Sequence, residues 1–225
     1  MSWIITGQGA TNDPYYFSDV SLLLRGDGIN GSTTIVDSSP SPKTVTAIGN
    51  AQISTAQSKF GGASIAFDGS GDYLNVSGGF VSGTEDFTIE WWEKLNSSNV
   101  SYPLIRFDNE TSSGIKTGGN NLQIFHNAGV LNQLWDYSSV TDWQYIAITR
   151  QSGVIRAFAS GVLLNKALDV GPTYSFSITS FAIGRAWTQF YTNDFNGYID
   201  DLRITKGVAR YTSNFTPPTA PFPDF

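Results

Sequence analysis

The sequence predicts an all-β protein, a single two-sheet antiparallel sandwich, and three observations carry that reading. Apolar and aromatic runs, roughly twelve to fourteen of them, recur at regular spacing between Gly, Asn, Asp and Ser turn signals. Composition agrees, with 23 glycines and 14% aromatic residues against only 14% charged ones, a mixture suited to short strands, tight turns and an aromatic core. No heptad or convincing helical periodicity interrupts the pattern. A length of 225 residues suits one such sandwich.

Taken in order, residues 1–15 read as an N-terminal arm, with Trp3, Ile4 and Ile5 ahead of a Gly/Asn/Asp-rich stretch. Val20-Ser-Leu-Leu-Leu24 is a buried strand ending at Arg25-Gly-Asp-Gly28. Ala63 to Phe67 and Tyr73 to Val76 read as a hairpin turned by Asp68-Gly-Ser-Gly-Asp72. In Asp86 to Leu95 strict alternation puts Phe87, Ile89 and Trp91 on one face, and Thr88, Glu90, Trp92 and Lys94 on the other. It would also turn Glu93 inward, so a bulge or strand end is expected there. Strands follow near 104–107, 122–125 and 130–135, then a meander over 143–168, then Phe181 to Arg185 and the aromatic loop 186–194.

The closing run Phe195 to Pro218 reads FNGYIDDLRITKGVARYTSNFTPP. Asn196-Gly197 is a tight-turn signal. Alternation then puts Tyr198, Asp200, Leu202 and Ile204 on one side, and Ile199, Asp201 and Arg203 on the other. This strand should pair near the first. The Pro-rich segment 213–225 reads as an extended tail with Phe222 and Phe225 as apolar pegs for a neighbouring subunit. Deleting 217–225 would then spare the fold and impair assembly.

The GYIDDLRITKGVARY block, with VSLLLRGDG and the FDGSGDYL segment, resembles the LamG-like, concanavalin A-like jelly-roll domains of phage virion and bacterial surface proteins. The resemblance implies a jelly-roll spanning residues 16–212 that acts by display. It implies a non-enzymatic virion protein, a capsid decoration, head fibre or tail-associated adhesin, possessing virion partners and forming homo-oligomers. A carbohydrate-binding module of a bacterial adhesin is the alternative, and a glycoside hydrolase the third. Related domains often carry calcium, for which Asp27, Asp200 and Asp201 are the candidates, although opposite faces for the last two argue against a shared ion. No other cofactor is expected.

The residues themselves bear on each class. A net charge of −6 disfavours nucleic acid. No apolar run approaches the ~20 residues of a membrane span. There is no cysteine, and Met1-Ser-Trp-Ile-Ile5 lacks the basic start of a secretory signal. Synthesis in a bacterial host cytoplasm, followed by exposure on a particle, is the expectation. For hydrolysis, Glu90 and Glu93 point to opposite faces and Asp86 lies too far from Glu90 to flank one bond. The single histidine, His126, reads as solvated at a turn. For sugar binding, rings to stack on and polar groups for hydroxyls coincide in Arg185, Trp187, Gln189, Tyr191 and Asn193. A second cluster holds Trp135 and Tyr137, and Trp92 is a further outward ring. Those rings could equally cap the sandwich or line an interface, the role also considered for Trp3, Ile4 and Ile5.

Overall fold

The computed structural model describes residues 14–107, 113–126, 131–185 and 194–223. Among these, the only helix is the short 3-10 segment Pro14–Asp19, and everything regular after it is strand. One sheet has nine strands. Its main order is Val162–Leu163, Val154–Ala159, Gln144–Gln151, Phe87–Leu95, Asn196–Lys206, Ser64–Asp68 and Gln52–Ser54. Val20–Leu24 also pairs with the closing strand, as expected, and Leu168–Asp169 with Val154–Ala159. A second sheet has seven strands: Leu131–Asp136, Asn121–His126, Gly114–Gly118, Ser101–Phe107, Phe181–Ile183, Tyr73–Val76 and Val45–Ile48, and Phe176–Ile178 pairs with Val81–Gly83 apart from both.

Period-two patterning explains the core between the sheets. Phe87, Ile89, Trp91 and Leu95 alternate inward from the longest strand but one, and meet Ile105, Phe107, Ile115, Leu122, Ile124 and Trp135 of the facing sheet. The segment 64–76 departs from the expected hairpin. Its two strands lie in different sheets, so the Asp68–Asp72 turn carries the chain across the sandwich. The buried carboxylate of Asp72 fixes that turn, accepting the Asp68 and Asn50 amides, each at 2.8 Å.

Glu93 does turn inward, but its strand runs on without a bulge. The irregularity sits opposite, in the closing strand, where Asp200 faces Trp92 and Arg203 faces Glu90, leaving two residues against Trp91. Asp201 takes φ +50° there, a left-handed conformation that Asp tolerates better than most residues. The bulge overturns simple alternation. Ile199, Leu202 and Ile204 enter the core, while Asp200 and Asp201 both reach groups on the outer side.

That outer side holds a second apolar layer. Leu23, Trp92, Tyr145, Phe158, Tyr211 and Phe222 pack there under the segment that follows the closing strand. Glu90, fully buried, anchors it, with Arg203 Nε at 2.7 Å and Tyr211 OH at 2.8 Å, and with Tyr145 OH bonded to the same carboxylate. The tail is therefore part of the domain and not a free handle. Phe215 stacks on Tyr211 at 3.6 Å, and the Phe215 amide donates to Gly161 O. Gly161 has φ +80°, and a Cβ there would lie 2.1 Å from Phe215 O, so only glycine lets the tail seat. Phe222, expected to peg a neighbour, is taken up by the chain's own surface. Its amide donates to Asp201 Oδ2 at 2.8 Å, its carbonyl accepts Arg25 Nη2 at 2.6 Å, and its ring lies 3.6 Å from the Arg203 guanidinium. Phe225 and the arm residues Trp3, Ile4 and Ile5 lie outside the described residues.

Three buried carboxyls make stability pH-dependent. Burial pushes Glu93, Asp200 and Asp201 each up to about 7, against the hydrogen bonds they accept. Between the unfolded values near 4 and that point, the fold holds protons that the unfolded chain has released. The stability these groups contribute is thus full at low pH and is lost as pH rises toward 7. The urea midpoint is expected to be higher at about pH 5.5 than at about pH 8. A flat or rising midpoint over that interval would contradict the assignment.

Candidate functional site

The carboxylates on the strand Phe87–Leu95 do not make an accessible catalytic pair. Glu90 lies under the tail. Glu93 lies in the core, accepting Trp91 Nε1 at 2.8 Å and Thr117 Oγ1 at 2.7 Å, with Tyr137 OH at 3.2 Å. Both are essentially without solvent contact and on opposite faces. His126 is also buried, contrary to the solvated turn expected. It bonds Tyr174 OH through Nδ1 at 2.9 Å and packs on Phe176 and Phe107.

The predicted sugar-binding residues divide three ways. Trp135 is fully buried in the core, its indole donating to Lys166 O. Tyr137 is buried too, its hydroxyl bridging Thr117, the Gly118 amide and Glu93. Neither ring can present a face to a sugar. The signal was in the sequence, since Leu131, Gln133 and Trp135 share the inward phase of their strand. Trp92 is likewise covered, with Lys59 Nζ 3.8 Å above it and Tyr145 and Phe60 against its edges. Trp187, Gln189, Tyr191 and Asn193 lie outside the described residues. Arg185, just before them, is half-exposed, and its guanidinium stacks 4.5 Å above the ring of Tyr73.

Among the described residues, the outward face of the seven-stranded sheet carries polar groups that single-strand reasoning missed, although Ala182, Gly114 and Lys116 within it are buried. Register aligns one residue from every strand in a single row: Thr46, Asn75, Ala182, Arg106, Gly114, Phe125 and Asn132. Thr46, Asn75 and Asn132 are exposed, and Arg106 and Phe125 half-exposed. Gln123, one row over, donates from Nε2 to Asn132 Oδ1 at 2.6 Å. Tyr73, next to Asn75 in phase, brings the Arg185 stack to the same side. Hydroxyl, amide and guanidinium groups thus line a strip with a ring near each end. Sugars use that combination, hydroxyls meeting polar groups and C–H faces meeting rings.

A cleft of about 240 Å³ opens between Gly69, Val100, Tyr102, Asp194 and Asn196. Asp194 Oδ2 accepts the Gly71 amide at 2.7 Å, and the Phe195 amide donates to Gly184 O at 2.8 Å. The volume is below the ~300–1,000 Å³ of a drug-sized pocket and suits a single sugar-sized group.

The candidate calcium ligands lie within electrostatic reach of one another: besides burial, the charge of Asp27 helps to raise Asp200 and that of Asp200 helps to raise Asp201. Asp200 Oδ2 accepts the amides of Lys59 and Phe60 at 2.7 and 3.0 Å, and Asp201 Oδ2 is committed to Phe222. Among the described residues, no three acidic or histidine side chains gather as a metal site.

The fold defines a class, the antiparallel jelly-roll β-sandwich. Family comparison agrees over residues 68–210, matching the family described as the concanavalin A-like lectin/glucanases superfamily. The chain belongs to that superfamily. No curated protein matches it. Among solved structures, domain 4 of AbnA, a GH43 extracellular arabinanase from Geobacillus stearothermophilus solved with arabinotriose, is 17% identical with a TM-score of 0.56, over 85% of this chain and 94% of that one. The receptor binding domain of botulinum neurotoxin D is 15% identical with a TM-score of 0.63, over 90% of this chain and 51% of that one. A botulinum neurotoxin type C structure, described as dependent for cell entry upon interaction with two ganglioside molecules, is 18% identical with a TM-score of 0.61, over 84% and 48%. The chain spans about half the length of these neurotoxin structures. At such identities the likeness concerns the fold alone.

Proposed function

We propose that the protein is a non-enzymatic glycan-binding module, and that the outward face of the seven-stranded sheet is its binding surface. The cross-strand row carries this reading. Thr46, Asn75, Arg106, Phe125 and Asn132 come from five separate segments yet share one strip. Among the described residues, the outer face of the opposite sheet is partly covered by the tail, Tyr211 and Phe222 packing with Leu23, Trp92, Tyr145 and Phe158. Burial of Glu90 and Glu93 speaks against hydrolysis, and arabinotriose in the arabinanase domain supports the sugar reading by analogy. A glycan array is the direct test. Binding without sugar release is expected, and Asn75→Trp should abolish it without lowering the melting temperature. Retention of full binding by that variant would remove this face from consideration.

Within that class we place the module on a phage particle, as a capsid decoration, head fibre or tail adhesin held in several copies by other virion proteins. The reading rests on the resemblance of blocks such as GYIDDLRITKGVARY to phage surface domains, and an acidic, cysteine-free chain is consistent with display. Detection of its peptides in purified virions, at stoichiometric abundance, tests the placement. Their absence would leave the adhesin module as the better setting.

A further inference from the structure

We propose that the surface holding Phe222 also takes it from a second copy of the chain, so that two molecules pair by exchanging their C-terminal tails. The exchange concerns assembly and does not depend on the glycan reading. The receptor for Phe222 is built wholly from residues far from the tail in sequence. Asp201, at the bulge, accepts the Phe222 amide, Arg25 donates to the Phe222 carbonyl, and the Arg203 guanidinium lies against the ring. Leu23, Trp92 and Tyr145 belong to the same apolar layer. An acceptor, a donor and a ring platform recognise a phenylalanine and its backbone, whichever chain supplies them.

The tether allows the exchange. Phe215 is fixed by its stack on Tyr211 and its bond to Gly161 O, and Phe222 by its own receptor. Between these anchors, residues 216–221 make no hydrogen bond among the described residues. Pro217, Pro218 and Pro221 have no N–H to give. Thr219, Ala220 and Pro221 are exposed, and the chain bends at Thr219 and Ala220 before it reaches the receptor. Straightening that bend breaks no hydrogen bond of the tether and carries Phe222 away from its own chain. A proline-rich segment favours that extended form. Two chains that exchange tails about a two-fold axis keep every contact of the single chain, each made twice. The tether itself opposes exchange, because a short linker holds Phe222 near its own receptor at an effective concentration on the order of millimolar. Single chains are therefore expected in dilute solution, and exchanged pairs as the chain concentration approaches that range.

The test shortens the tether in the otherwise complete chain. Deleting Thr219 and Ala220 removes the bend and cuts the reach by up to about 7 Å, so that the receptor is filled from a second copy. By light scattering the shortened chain should have twice the monomer mass, and its melting temperature should rise with protein concentration. Adding Phe222→Ala to the deletion should return the monomer. The unshortened chain should form the same dimer only when concentrated to about the millimolar range. A shortened chain that stays monomeric at every concentration overturns the exchange. So does a dimer that survives Phe222→Ala, which would place the contact elsewhere. A second measurement needs no deletion: a peptide of residues 216–223 is added to the full-length Phe222→Ala variant. The peptide should raise the melting temperature, and the same peptide carrying Phe222→Ala should not. No rise with the first peptide, or an equal rise with both, means that the receptor does not take Phe222 from outside the chain and overturns the proposal.

Discussion

Arg203→Met is expected to lower stability by roughly 3–5 kcal/mol, seen as a large fall in the urea midpoint. The substitution leaves Glu90 fully buried, and its closest cationic partner at 2.7 Å is gone. Arg210 Nε, at 3.6 Å from the same oxygen, is a poorer substitute, the more so because burial already draws its own pKa down to about 10. The hydroxyls of Tyr145 and Tyr211 remain, and their own ionisation is pushed upward by burial and by the Glu90 charge, so they stay neutral donors. They solvate the carboxylate without balancing it. A Glu90→Met, Arg203→Met double variant should recover a good part of the loss, because the pair then disappears together and apolar side chains fill similar space. A double variant as unstable as the single one would mean that Arg203 acts through its stack on Phe222 and not through Glu90.

Removing residues 217–225 should lower the melting temperature strongly, with a loss on the scale of about 3–5 kcal/mol that a buried phenylalanine represents. Two buried groups and one half-buried group lose a partner in that single step: Asp201 the Phe222 amide, Arg203 the ring, and Arg25 the Phe222 carbonyl. Phe222→Ala should reproduce the packing part of the effect while sparing the backbone bonds, and so fall between the full chain and the truncation. A truncated protein that melts like the full chain would return the tail to the role of a free handle.

The elements read most securely from sequence were those with local signals. Asn196-Gly197 before an alternating run located the closing strand, and Trp143 to Leu168 gave the meander. The pairing of Val20–Leu24 with that closing strand was also legible, as a requirement for closure. What escaped was non-local. Phe222 is held by residues 21 and 197 positions earlier in the chain, and nothing in a Pro-rich run indicates that it folds back. The polar strip is the extreme case. Thr46, Asn75, Ala182, Arg106, Gly114, Phe125 and Asn132 are unremarkable singly, and only the register of seven strands lines them up. Alternation could have moved Trp135 to the core, but a ring beside Asp136 and Tyr137 also fits the composition of a sugar platform. Burial decided between the two.

The bulge at Asp201 has a consequence for how the closing strand tolerates change. On either side of it the strand is read in the same phase: Ile199 in and Asp200 out before, Leu202 in and Arg203 out after. Asp201 is thus an inserted beat that shifts no other side chain to the wrong face. Excising it would bring Leu202 opposite Trp91 and leave each neighbour on the face it occupies now. The core is indifferent to this residue, whose side chain is turned to the Phe222 amide. The strand that closes the sandwich therefore has a rhythm set by the interior and one extra syllable addressed to the tail.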